Sequence, residues 1–213
     1  MDRLSSTLRG MTDESPKLRE RRSQLTREEI LLTARRLFAE RGYARTSVRD
    51  IAREAGVSPQ TVYDSIGSKS ELVARLNDLI DAEAGVPGLV VSMSQSDDPP
   101  YVAATSARVT AAILAHCGDI LRTLVSGSAG EPDLVRVLNE GQRRHVAGAQ
   151  RVVERLHRLR ALPPRTNLEQ AGQSLAAVSD FRIALVLHDI YGWPLDRIEG
   201  WMAGESQRLL LNL

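Results

Sequence analysis

Between Thr46 and Lys69 the chain reads TSVRDIAREAGVSPQTVYDSIGSK, and these 24 residues hold two complete helix starts, a turn and a third start. Ser47 suits the cap of the first helix, because its hydroxyl can accept the amide three residues on, while Asp50 reaches back to close a capping box. Val48, Ile51, Ala52 and Ala55 then recur at helical spacing and give that helix one apolar face. Gly56 follows where a chain leaving a helix needs a left-handed residue. Ser58 caps the second helix, and Pro59 falls in its first turn, where a missing amide costs nothing. That helix, Pro59 to about Ser65, turns Val62 and Ile66 inward and leaves Gln60, Thr61, Tyr63, Asp64 and Ser65 on its outer side. A short helix with hydrogen-bonding side chains outward, braced by another across a glycine turn, is the helix-turn-helix arrangement that enters a DNA major groove.

The rest of the chain reads as helix throughout. A helix is expected from a Thr26 cap, through Ile30, Ala34, Leu37 and Phe38, to Gly42. Ser68 and Glu71 form a second capping box, opening a helix whose inner face carries Leu72, Leu76, Leu79 and Ile80. Lys69 sits at its first turn, where backbone amides already favour an anion. The turn formers between Gly85 and Pro100 mark residues 84–100 as a linker. Beyond it come a helical stretch from Tyr101 to about Ser126 and a second from Pro132 to Pro163. A third, capped by Asn167, closes at Gly192, and Pro194 opens a last one. No strand alternation occurs. The expected fold is all-α: an N-terminal three-helix helix-turn-helix domain (25–83), then a helical regulatory and dimerisation domain (101–213).

Composition enters mainly by exclusion. At 213 residues the chain can bury a sizeable core, and 42% hydrophobic with 26% charged residues is ordinary for a soluble globular protein. No apolar run approaches ~20 residues, so no membrane span is expected. The first residues lack an apolar signal core, and the lone Cys117 fits a reducing cytoplasm. The net charge of +1 conceals an asymmetry: Lys17, Arg19, Arg21, Arg22, Arg27, Arg35 and Arg36 face only Glu20, Glu28 and Glu29. Residues 1–24 therefore read as a flexible basic arm ahead of the helix-turn-helix, where phosphate contacts would help. No nucleophile elbow, phosphate loop or zinc signature is present, so neither an enzyme, a cofactor nor a metal is expected.

Arg41-Gly42-Tyr43, Thr46-Ser47, Ile51-Ala52, Ala55-Gly56-Val57-Ser58, Thr61-Val62-Tyr63 and Ser68-Lys69 together resemble the DNA-binding domain of TetR-family transcriptional repressors, over roughly Leu25 to Leu76. One departure is that Tyr63 is followed by Asp64-Ser65-Ile66, where that family has a second aromatic; the Asp64 carboxylate is expected to turn away from phosphates or pair with an arginine. The resemblance implies a homodimer that binds palindromic double-stranded DNA and releases it when a small-molecule effector binds. Thr46, Ser47, Arg49 and Lys69 would hold phosphates, with Tyr43 beside them. Gln60, Thr61 and Tyr63 would meet base edges and backbone in the groove.

The last two helices are apolar on more than one side, with Leu185-Val186-Leu187 and Leu209-Leu210-Leu211 in unbroken runs. In the family such helices pair with their copies in a four-helix bundle. The expected interface is Leu175, Val178, Phe181, Leu185, Ile198, Trp201, Met202 and Leu209, setting two reading helices ~34–36 Å apart. His116 and His145 fall on apolar stripes of neighbouring helices and are expected to anchor the effector in its pocket; hydrogen-bonded core histidines are the alternative. A helical domain that recruits a protein partner is the competing reading for this half of the chain.

Overall fold

The structure, a computed structural model, describes residues 16–212. They form helices and no strand: α1 (Pro16–Arg41), α2 (Val48–Glu54), α3 (Pro59–Ser65), α4 (Lys69–Glu83), α5 (Val86–Gln95), α6 (Pro99–Ala103), α7 (Thr105–Ser128), α8 (Pro132–Arg158), α9 (Leu168–Val178), α10 (Phe181–Leu185), a π-helical turn (Val186–Ile190) and α11 (Leu195–Leu211).

The local signals in the helix-turn-helix act as expected. Ser47 and Asp50 close a capping box on α2, and Ser68 and Glu71 close another on α4. The Ser58 hydroxyl accepts the Thr61 amide at 3.0 Å, with Pro59 opening α3. Gly56 turns between α2 and α3 at φ +68°, a conformation that residues with a Cβ rarely adopt.

Several expectations fail for identifiable reasons. Thr26 is not a cap: α1 starts at Pro16, and the Thr26 hydroxyl donates to the Arg22 carbonyl inside a continuous helix. Lys-Leu-Arg-Glu-Arg-Arg contains only strong helix formers, so nothing stops the helix until Pro16. The described part of the basic arm is thus helix; residues 1–15 lie outside the described residues. The linker expected at 84–100 contains α5 and α6. Gly85 supplies the left-handed turn (φ +66°), and Pro87 falls in the first turn of α5, where it opens a helix rather than breaking one. The helix expected to run from Asn167 to Gly192 breaks at Ser179–Asp180. There the Ser179 hydroxyl returns to the Leu175 carbonyl, and Asp180 caps α10 through the Arg182 amide.

Two apolar cores hold the chain together. The larger joins Ile30, Leu37, Ile51, Val62 and Leu72 of the first four helices to Leu124, Leu134, Leu187, Ile198 and Met202 of the remainder. The smaller joins Met93 and Val102 to Val152, Leu156, Leu175 and Leu210. Each buried aliphatic side chain contributes about 2 kcal/mol, and the shared core seats α1 and α4, which carry α2 and α3, on α7. Contact there is close at Gly127, which lies inside α7 rather than ending it. A Cβ at Gly127 would come within 2.5 Å of Leu134 Cδ1 and 3.0 Å of the Tyr43 ring. α7 is long and apolar enough to cross a membrane by length and composition alone, but half of that stretch is buried inside the protein, as suits a core helix.

Candidate nucleic-acid interface and adjoining cavity

α3 presents the outer side chains read from the sequence. Tyr63 is 52% exposed and Gln60 is open to solvent, while Val62 anchors the helix from beneath. Asp64 pairs not with an arginine but with Gln60, whose side-chain amide donates to it at 2.7 Å. Thr61 is half-buried, with its hydroxyl 2.8 Å from that of Ser58. Beside α3, Arg49 is exposed and has no ion-pair partner among the described residues, which leaves its charge for phosphate. The Ser47 hydroxyl is occupied by Asp50 at 2.5 Å.

Thr46 is a correction. It is 1% exposed, and its hydroxyl donates to the Gly42 and Leu37 carbonyls, so its side chain braces the turn after α1 and cannot reach a phosphate. Lys69 stands at the first turn of α4, half-buried. Its ammonium donates to the Tyr43 carbonyl at 3.1 Å and sits 3.9 Å from the centre of the Tyr43 ring, keeping two N–H groups for an anion. The Tyr43 ring packs on Phe38. Burial, with Glu131 and Asp133 nearby, pushes its phenol up to about 12. A hydroxyl beside two carboxylates is poorly placed for a phosphate; Tyr43 instead supports Lys69.

Behind this unit, α4, α5, α7, α8 and α10 line a partly open cavity of about 330 Å³. Its walls are mainly apolar, with Met93, Ile113, Leu124, Leu138 and Phe181 among them. His145 lies in the wall as expected, and its Nε2 approaches the Ala176 carbonyl at 2.9 Å, which fixes the ring. His116 does not join it. The expectation carried one helical period from Ile113 to Ile120, but Cys117 has non-helical angles (φ −133°, ψ 19°) and breaks that period. His116 is exposed, with Nδ1 at 2.9 Å from the Ala112 carbonyl. Asn77 on α4 is the wall residue that sequence reasoning missed. It shares a helical stripe with Val73, Leu76 and Ile80, and a polar residue on an apolar stripe is the same signal that singled out the histidines.

An ionic cluster ties the helix-turn-helix to α7. Arg35 of α1 donates to Asp119 of α7 at 2.5 and 2.9 Å, to Glu83 of α4 at 2.6 Å, and to the His116 carbonyl at 2.6 Å. Burial alone would raise the Asp119 carboxyl, but the Arg35 hydrogen bonds and charge outweigh it and hold it below the usual range. The nearby Cys117 thiol is buried and pushed up to about 11, chiefly by desolvation.

At the far end, four of the eight expected interface residues are internal. Leu175, Leu185, Ile198 and Met202 are buried within the chain's own cores, because α9 and α11 face inward as well as outward. Val178, Phe181 and Trp201 are half-buried, and Phe181 faces the cavity. Leu209 is exposed at 41%. The open apolar face runs instead through Ile183, Val186, Ile190 and Tyr191, with Ile190 exposed at 71%. On α11, nothing lies within 4 Å of where a Gly200 Cβ would be.

The chain thus carries an exposed polar helix of a helix-turn-helix beside a cavity-bearing helical bundle. Residues 30–76 match the family described as bacterial regulatory proteins, tetR family, and over this domain the chain is similar to that family. The match to the HTH-type transcriptional regulator TtgR of Pseudomonas putida is 45% identical over 56 residues, covering 26% of this chain and 27% of TtgR. The chain thus spans about a quarter of the length of that relative. Solved structures extend the likeness of fold. A SmeT–triclosan complex aligns over 88% of this chain and 92% of its own at 20% identity, with a TM-score of 0.69. NalD of Pseudomonas aeruginosa, the secondary repressor of the MexAB-OprM multidrug efflux pump, aligns over 90% and 98% at 20% identity and a TM-score of 0.67. Both TtgR and NalD are named as regulators of transcription or repressors.

Proposed function

We propose that the protein is a homodimeric transcriptional repressor that binds a palindromic operator and releases it when a small molecule enters the cavity. One observation carries this reading: α4 holds Lys69 at the edge of the DNA-reading face and, two turns later, Asn77 in the cavity wall. A ligand can shift the DNA-binding equilibrium only by binding one arrangement of that helix more tightly than another. Gln60, Thr61 and Tyr63 read the groove, with Arg49, Lys69 and the N-terminal end of α2 at Ser47 on the backbone. The open apolar face at Ile183, Val186, Ile190 and Tyr191, continued by Leu209 and Trp201, joins the two copies. A largely apolar cavity of this size, partly open to solvent, suits a small effector better than a protein partner. The SmeT structure with triclosan supports the same reading by analogy of fold.

The test is an anisotropy titration against the palindrome nearest the gene and against random duplex, at several salt concentrations, with the oligomeric state followed by sedimentation. A dimer that prefers the palindrome is expected. Lys69→Ala should weaken both duplexes and lower the salt slope by about one, whereas Tyr63→Ala should cost specific binding far more than non-specific binding. A monomer, or equal affinity for both duplexes, would refute the proposal.

A further inference from the structure

Two polar side chains in the cavity wall are mostly buried yet bond to no other group among the described residues. Asn77 of α4 is 5% exposed and Ser106 of α7 is 6% exposed. Both line the cavity, and neither side chain has a hydrogen-bond partner among the described residues. Their hydrogen-bonding capacity is left to whatever fills the cavity, and in an otherwise apolar wall two such groups are where a bound molecule's polar atoms would be met. The other wall polar groups differ. The Thr110 hydroxyl donates to the Ser179 carbonyl, and His145 is held by Ala176. Across from Asn77, Gly141 keeps the space open: a Cβ there would stand 3.9 Å from Asn77 Oδ1.

The cavity wall also carries charged groups. Asp81, Arg144 and Arg151 stand on solvent-accessible parts of the wall, with Arg144 3.8 Å from Asp81. An ionic head carried past them to the buried Asn77 and Ser106 would lose its water there, which costs far more than burying a neutral hydroxyl or carbonyl that finds a partner. An amide and a hydroxyl can each donate and accept, so both suit a neutral polar group of either kind. We infer that the effector is an uncharged, largely apolar small molecule carrying one or two hydrogen-bonding groups, of the phenol, alcohol or ketone class, and that Asn77 and Ser106 are the residues that select it. This rests on reading the cavity as the effector site.

Three bicyclic probes of matched size separate the possibilities at pH 7: naphthalene, 2-naphthol and 2-naphthoate, titrated calorimetrically into the full chain. 2-Naphthol should bind about tenfold tighter than naphthalene, the worth of one or two neutral hydrogen bonds, and at least tenfold tighter than the anion. Asn77→Leu should erase the naphthol advantage while leaving naphthalene within about twofold, and Ser106→Ala, a smaller change, should reduce it if the first variant folds poorly. Naphthoate binding as tightly as naphthol, or an advantage that survives both substitutions, would overturn the assignment. A parallel DNA titration keeps the two readings apart. Naphthol that binds as described yet leaves operator affinity unchanged would sink the effector role of the cavity and leave its chemical selectivity standing.

Discussion

The unit that reads DNA and the bundle that encloses the cavity are specified at different ranges. From Ser47 to Glu71 each helix start is set by a hydrogen bond between residues three positions apart: Ser47 with Asp50, Ser58 with Thr61, Ser68 with Glu71. In the bundle the deciding contacts lie tens of residues apart. Arg35 meets Asp119, Thr110 meets Ser179, His145 meets Ala176, and Gly127 gives room to Tyr43 and Leu134. A local bond fixes the start of a helix without regard to what surrounds it. A long-range contact fixes which face turns inward, and so whether a pocket exists. The two meet where α1 and Tyr43 rest on α7, and substitutions at that junction should show how far each depends on the other.

The largest effect is expected at Gly127. Valine there would drive a branched side chain into Leu134 and the Tyr43 ring, where even a bare Cβ is at 2.5 and 3.0 Å. Overpacking of a filled core costs about 3 kcal/mol, here at the seat of the reading unit, so operator binding should fall with stability. Gly200→Ala is the matched control on an open face: a helix-propensity gain of up to about 1 kcal/mol in the monomer is expected. Thermal unfolding of both variants checks the contrast, which fails if the two destabilise alike.

What could be read from the chain divides along the same line. The caps at Ser47, Ser58, Ser68 and Asn167, and the outward set of α3, depend on neighbours within one helical turn and were legible. His116 was misplaced because its side depends on angles at Cys117 that no periodicity reveals. Leu175, Ile198 and Met202 were assigned to a partner because hydrophobicity shows that a face is covered, never by what. Residues 84–100 looked like a linker because Gly and Pro at a helix start resemble Gly and Pro in a loop. Asn77 could have been found by the rule applied to His145, had amides been counted with titratable groups.

The Arg35 cluster should rank second. Arg35→Met leaves Asp119 half-buried without its cation and cuts the tie between α1 and α7, at about 2 kcal/mol for charge-assisted bonds. The Asp119 carboxyl sits below its unfolded value, so its contribution is present above the ordinary carboxylate range. It is lost as pH falls through the depressed folded value. The gap between wild type and variant should therefore be full at neutral pH and close below about pH 4. Denaturant midpoints across that range test it, and a gap independent of pH would remove Asp119 from the cluster's energetics.

Ser58→Ala should have the smallest effect on stability and the most selective one on binding. The hydroxyl satisfies a single orphan amide at the start of α3, worth about 1 kcal/mol. The bundle behind does not depend on it. α3 is only 7 residues long, however, and Gln60 and Thr61 fall in the turn that would fray. The unfolding midpoint should shift by a few degrees at most, while specific affinity drops several-fold and non-specific affinity holds. That pattern follows only if the first turn of α3 is ordered by its cap. If tertiary packing through Val62 orders it instead, affinity will be untouched; if the reading unit and the bundle unfold as one through this turn, Ser58→Ala will cost as much as Gly127→Val, and the distinction between locally and distantly specified structure will not survive.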